Sequence, residues 1–407
     1  DATVPRSRLP DVLSRINGIA DRHRLLVANV FHAGDGNLHP NLLFDRRDPE
    51  QVQRVEAASR EIMTVCVEAG GTITGEHGVG LDKRGYMALI HGPDELRAQR
   101  GVRRVFDPRG LWNPGKVLPD PVPPEEEVAV LRTIPPGDSR KPPTEPPPSE
   151  RRTLGPPRDL DGLVRLLREA SASGRRVSPA RRPLGPDTDR IDLTALAGIE
   201  HHEPADLTLT AGAGTPVRAI ADRTAEAGQW LALDGPELDG TTLGALVAAG
   251  GHGTLWSGFG AVRDLVLGLT VVTGDGRVLR LGGRVVKNVA GFDLVRLMVG
   301  SRGALGVIAS VTVRLHPTPA ADRWWVSRGG RPEDLLAVVD AVRDVSIDPS
   351  AMEMGWDASG ATLLVRKLGS KQGVGVFSDE LATIGDLQPI DPGSVAPSRR
   401  AARRALV

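Results

Sequence analysis

A chain of 407 residues with 51 Lys+Arg against 51 Asp+Glu carries no net charge, which argues against a basic nucleic-acid-binding face. The length suits two or three domains, and no apolar run reaches the ~18 to 20 residues that a membrane helix needs. A single cysteine forbids an internal disulfide, and the front carries no signal-peptide pattern, so the expected location is a reducing cytoplasm.

Leu9, Val12, Leu13, Ile16 and Ile19 keep helical spacing. Two apolar runs, 25–31 and 38–44, then flank Gly34-Asp35-Gly36, a turn signal that predicts a β-hairpin. Such a hairpin brings His32 and His39 back toward each other. A helix follows over about 50–69, closed by Gly70-Gly71; Cys66 shares its stripe with Val52, Val55, Ala58, Ile62 and Ala69, and reads as core rather than nucleophile. A strand is expected to lead into Glu76-His77, and a polar helix to run through about 94–104. This order suits an antiparallel sheet with helices on one face, an α+β layer. Two imidazoles and a carboxylate, His32, His39 and Glu76, make a set that suits Zn²⁺ or a similar divalent ion and leaves a coordination position open, as in catalytic sites. Spacing alone equally allows three separate polar turn residues.

Residues 119–157 hold 13 prolines among 39 positions, the composition of a semi-rigid linker. Beyond it, Leu160, Leu163, Val164, Leu167 and Ala170 mark an amphipathic helix, and DLTLTAGAG a strand. Thr215, Pro216 and Gly228 read as the N-cap, first position and end of the next helix. Residues 269–273 and 277–281 flank Gly274-Asp275-Gly276 as a second hairpin, and 305–315 alternate as a strand. The mix is α+β without a regular βαβ repeat. Glycine-rich stretches at 241–253, 261–268 and 287–308 put backbone N–H groups where they could contact a diphosphate, or else are simply tight turns. Past residue 320, WWVSRGG and a helix over 335–342 resemble the start of a second, smaller cap, with no histidine after His316. The tail SRRAARRALV is short and basic and reads as a solvated end rather than a nucleic-acid or membrane contact.

HAGDGNLHPNLLF, GGTITGEHGVGLDKRGYM and FDPRGLWNPGKVLP, in order over residues 1 to about 119, resemble the C-terminal cap of FAD-linked 2-hydroxy-acid dehydrogenases, above all the large FAD subunit of bacterial glycolate oxidase. From about 158 to 320, TTLGALVAAGGHG, GAVRDLVLG and KNVAGFDLVRLMVGSRGALGVI resemble the FAD-binding domain of the vanillyl-alcohol-oxidase type, most nearly the smaller FAD-binding subunit of glycolate oxidase. The domain organisation implied is a cap over 1–118, a linker over 119–157, an FAD-binding domain over 158–320, and a partial second cap with tail over 321–407. One departure is VSPARRPLGP at 177–186: where the family has a glycine-rich pyrophosphate loop, prolines 179, 183 and 186 remove amide donors.

The resemblance implies that His32, His39 and Glu76 hold the metal and that His77 is the base that takes the substrate hydroxyl proton. It makes Asn41 and Lys83 substrate-side residues and the segment 107–119 a return strand that brings Asn113 to the flavin. Thr242, Leu243, Gly244, Gly253, Asp264, Gly303, Gly306 and Ile308 become FAD contacts, while Lys287 and Asp293 pair and support their loop. The implied reaction is oxidation of a 2-hydroxy acid of the glycolate or D-lactate class to its 2-oxo acid. The alternative is a non-catalytic FAD-binding assembly or electron-relay subunit. Implied partners are an iron–sulfur electron-acceptor subunit, since this chain has no cysteine cluster, and a flavin domain or large FAD subunit preceding Asp1. Attachment to the inner membrane would come through such partners. Because the cap should match that preceding flavin domain, complementarity to the FAD-binding segment of this chain is not expected, and His77 is expected to lie far from its groove.

Overall fold

A computed structural model describes residues 1–119, 153–179, 188–234, 238, 240–251, 253–357, 360–391 and 393. Most of the proline-rich linker, residues 180–186 of the altered loop, and the basic tail lie outside them. The chain forms two compact units. The first comprises residues 1–215, 243–248 and 266–313; the second comprises 216–242, 249–265 and 314–407.

In the first unit, helix α1 (Leu9–Arg22) buries Leu9, Val12, Ile16, Ile19 and Ala20. Each large aliphatic among them contributes roughly 1.5–3 kcal/mol by leaving water. It packs on α2 (Pro49–Glu68), which starts where the Asp48 carboxylate accepts the N–H groups of Glu50 and Gln51. Cys66 is fully buried in the same core, and burial pushes its thiol up to about 12, so it is a core residue, as its stripe suggested. Helix α3 (Pro93–Phe106) completes this part.

Strands β1 (Ala2–Thr3), β2 (Leu26–His32) and β3 (Asn37–Leu43) form an antiparallel sheet in the order β1-β3-β2. The predicted hairpin is there, with His32 opposite Asn37 and Val30 opposite His39. Its turn needs glycine at Gly36, where φ is +78° and a Cβ would lie 2.0 Å from the Val4 carbonyl oxygen.

Two expected strands are absent among the described residues. The segment before Glu76 makes a single bridge, Thr3 to Thr72, because the next amides turn away to a side-chain carboxylate. The segment 107–119 is a run of turns, because the Asp107 carboxylate accepts the N–H groups of Leu111 and Trp112.

The rest of the first unit begins with a small parallel sheet of β4 (Thr153–Leu154), β5 (Arg176–Ser178) and β6 (Thr188–Ile191), ordered β4-β6-β5. Then come β7 (Ile199–Glu203) and β8 (Thr208–Gly212); β9 (Gln229–Trp230) belongs to the second unit. With β10 (Val266–Val272), β11 (Val278–Gly282) and β12 (Val307–Arg314) they give a five-stranded sheet, β11-β10-β12-β8-β7, containing the predicted second hairpin. The helix Leu160–Ala172 covers it through Leu163 and Leu167, which pack with Val272 and Val307. Thr215 does not cap the next helix. Its hydroxyl is held by both backbone groups of Gly198, and Pro216 stands at the N-cap of Val217–Ala225 instead.

The second unit carries an antiparallel sheet of Ala351–Asp357, Gly360–Gly369, Ala321–Gly329 and Gln388–Ile390, in that order. The helices Leu336–Arg343 and Lys371–Leu381 pack on it around Trp325 and Phe377. The architecture is mixed helix and antiparallel sheet, with no closed barrel among the described residues.

Gly36→Ala forces a side chain into a left-handed turn already filled by the Val4 carbonyl. It should cost about 2 kcal/mol or more in thermal or urea unfolding. A loss below about 0.5 kcal/mol would show that the turn relaxes freely.

Candidate functional site

The hairpin register decides which side chains meet. His32 faces Asn37 across the ladder and His39 lies two residues further along β3, so the two imidazoles share one face. Their ring centroids are 5.4 Å apart and nearly perpendicular. Glu76 arrives on the loop after α2, with an oxygen 3.8 Å from His39 Nε2. One ligand atom from each of His32, His39 and Glu76 lies within 4.8 Å of the others, so the three predicted metal residues converge. His77 stands beside them, its ring centroid 5.1 Å from that of His39, with 62% of its side chain exposed.

The loop carrying Glu76 and His77 is held from beneath. The fully buried Asp1 carboxylate accepts the N–H groups of Gly75, Glu76 and His77 at 3.0, 2.7 and 3.2 Å and the Thr74 hydroxyl at 3.0 Å. Lys83, predicted on the substrate side, pairs with this carboxylate and donates to the Asp1 carbonyl. Gly75 is needed here too, since a Cβ would lie 2.2 Å from Thr3 Oγ1 and 2.7 Å from Asn37 Oδ1. Asn41 is exposed on β3, its amide donating to the Ala28 and His39 carbonyls.

Two charged residues outside the predicted ligand set complete the arrangement. Lys287 bonds Glu76 Oε1 and makes an ion pair of 2.7 Å with Asp35, the middle residue of the predicted hairpin turn. The Lys287 ammonium holds Glu76 below the usual carboxylate range. Burial alone would raise Asp35, but Lys287, the Asn37 N–H and His32 bring it below its ordinary value. Asp35 first and then Glu76 raise Lys287. Burial, with its cationic neighbours, lowers His39 and favours the neutral imidazole. Its Nε2 lies 3.2 Å from the amide of Asn37, a fully buried residue that spacing did not single out. Imidazole nitrogens and a carboxylate are the donor set that a divalent cation takes, so the residues fit such an ion.

Contrary to the expected mismatch, the cap segment packs against the 266–313 segment. Glu95 accepts the Arg280 N–H and Gln99 that of Phe292, Thr72 donates to Asn288, and His91 Nε2 bonds the Ala290 carbonyl. Glu95 and Gln99 are buried. Buried polar side chains that accept backbone amides give this contact its complementarity.

The predicted flavin contacts distribute over both units. Leu243 and Gly244 open the helix Leu243–Ala249 in the first unit, where their N–H groups bond the carbonyls of Thr215 and Ala213. Gly303 abuts Pro179, Gly306 packs closely on Val271, and Ile308 is buried in β12. Asp293 caps its helix through the Arg296 N–H, a supporting role. In the second unit, Thr242 bridges to Pro216, Gly253 sits tightly against Asp234, and Asp264 closes a turn by accepting the Ala261 N–H. Asn113 is exposed in a turn, its carbonyl bonded by Arg103.

The architecture is α+β, and His32, His39 and Glu76 converge within it. Residues 1–117 match the family model for the C-terminal domain of FAD linked oxidases, and residues 157–282 that for an FAD binding domain. The chain thus joins an FAD-linked oxidase C-terminal domain to an FAD-binding domain. A stretch of 119 residues is 47% identical to glycolate oxidase subunit GlcD of Escherichia coli K12, covering 29% of this chain and 24% of that protein. Another stretch is 43% identical over 132 residues to subunit GlcE of the same strain, covering 32% and 38%. A probable mitochondrial D-lactate dehydrogenase of Danio rerio is 36% identical over 118 residues, covering 29% and 24%. The chain therefore spans between about a quarter and two fifths of the length of these relatives. A solved alkyldihydroxyacetonephosphate synthase shares the fold, with a TM-score of 0.51 and 16% identity over 60% of this chain and 53% of that one.

Two outcomes follow. Lys83→Met leaves the Asp1 carboxylate buried without its counter-ion and should cost about 3 kcal/mol in urea unfolding; a cost under 1 kcal/mol would mean that the loop amides suffice. His39, His91 and His316 are each held below 6.5 by burial, so the unfolded chain binds protons more readily. The stability they add is complete above about pH 6.5 and declines as the pH falls below it. The melting temperature at pH 5.5 should lie below that at pH 7.5, and an equal or higher value would reject this.

Proposed function

We propose that this chain serves the FAD-dependent oxidation of a 2-hydroxy acid of the glycolate or D-lactate class to its 2-oxo acid, within a multisubunit flavoprotein. The observation that carries the reading is the convergence of His32, His39 and Glu76 beside His77, on the segment that matches the C-terminal domain of FAD linked oxidases. His32, His39 and Glu76 would hold a divalent ion such as Zn²⁺, whose chemistry is to bind the substrate's carboxylate and hydroxyl oxygens and acidify the hydroxyl. FAD, when bound to the 157–282 domain, supplies the hydride acceptor.

His77 is the proposed base. Its exposed ring lies where a hydroxyl bound next to His39 comes within reach, and it takes the hydroxyl proton as the α-hydrogen leaves. Asp1 fixes the backbone of His77, so only its side-chain torsions remain free. Lys83 serves through Asp1, and Asn41 lies two residues beyond His39 on the same strand. Thr242, Leu243, Gly244, Gly253, Asp264, Gly303, Gly306 and Ile308, with Asn113, are the residues proposed for flavin contact; Leu243 and Gly244 would act through groups other than their N–H. An iron–sulfur subunit as electron acceptor, a further flavin domain and attachment to a membrane through partners belong to the same reading. Among the described residues, no helix is long and apolar enough to cross a membrane.

The purified chain should take up FAD and about one equivalent of Zn²⁺, and its flavin absorbance should bleach with glycolate or D-lactate. His32→Ala should lose the metal and the bleaching while keeping the fold. His77→Gln should keep metal and flavin but slow bleaching by about 10²- to 10⁴-fold. A flavin indifferent to both acids would favour the assembly or electron-relay role instead.

A further inference from the structure

We infer that Lys287, which lies in the 266–313 segment packed against the cap, is a positioning residue for Glu76, so that the metal site carried by the cap is completed by a side chain 211 positions away. The inference rests on the metal reading above. Glu76 sits on a loop without regular structure, with 36% of its side chain exposed, and a long side chain so placed has many rotamers open to it. Lys287 takes Oε1, which leaves Oε2 turned toward His39 Nε2. The carboxylate is thereby offered to a metal through one oxygen, at the point where the two imidazoles already converge.

An ammonium so close to a dication would repel it. Asp35 offsets this: its carboxylate accepts from Lys287 at 2.7 Å, and it is itself fixed in the hairpin turn by the Asn37 N–H at 3.1 Å. Lysine and aspartate thus form a pair of no net charge, anchored to the same hairpin that carries the histidines. Hydrogen-bonded partners of ligating carboxylates orient them and strengthen metal binding. A lysine that merely filled the place of a missing cation would do the opposite, since its removal would free Glu76. The two roles predict changes of opposite sign.

The test is a Zn²⁺ titration of the full chain against a competing chelator. Lys287→Met should weaken Zn²⁺ binding by about 10- to 100-fold. Lys287→Arg, which keeps two donors for the two carboxylates, should recover most of that loss. Asp35→Asn should weaken binding in the same direction, and melting curves of the metal-free variants would show that each is folded. Unchanged or tighter binding by a folded Lys287→Met overturns the inference and leaves the metal reading intact. If Lys287→Met does not fold, a Lys287→Arg that fails to bind as well as the parent decides against it. A parent chain that binds no Zn²⁺, with His32→Ala indistinguishable from it, overturns both.

Discussion

A single buried carboxylate governs the geometry of the site. Asp1 Oδ2 receives three consecutive amides, those of residues 75 to 77, while Oδ1 receives the Thr74 hydroxyl and the Lys83 ammonium. Successive N–H groups converging on one anion form a concave nest, in which the backbone dihedrals are coupled. Glu76 and His77 are therefore free to move only at their side chains. Burying that carboxylate without a counter-ion would be costly, and Lys83, itself largely buried, neutralises it.

Upon this base, three kinds of structure each contribute something different. The hairpin supplies rigidity, because a ladder of seven residue pairs sets the relative positions of His32 and His39. The nest supplies a loop that stays in place without belonging to a sheet. The Lys287–Asp35 pair supplies charge balance around Glu76. Removing any one leaves the same residues present in a looser arrangement, and a metal or a base displaced by an ångström loses much of its use.

What could be read from the sequence was what depends on short-range order. Helix α1 follows from its apolar spacing, and the two hairpins from Gly-Asp-Gly turns between apolar runs. The convergence of His32 and His39 came from the same turn, whereas Glu76 could be joined to them only through likeness to a family. Where expectation failed, a side chain had captured the backbone. Asp1 draws away the amides of a strand before Glu76, Asp107 those of a strand over 107–119, and Gly198 takes the hydroxyl that would have made Thr215 a cap. Periodicity is blind to such captures, because the apolar pattern is the same with or without them. Asn37 escaped, and Lys287 pairs with Glu76 and Asp35 instead of the expected Asp293, for a related reason: their partners are set by tertiary packing.

The span between Glu76 and Lys287 also bears on the order in which the molecule assembles. The histidine pair belongs to a hairpin closed by four residues, an element that forms on its own in microseconds. The Glu76–Lys287 bond closes a loop of some two hundred residues, through the proline-rich stretch, and its entropy must be met by packing already in place. The imidazoles are thus ready early and their carboxylate is steadied late. During synthesis the cap emerges well before residue 287, so the nascent site carries its histidines for a time without the lysine that balances it.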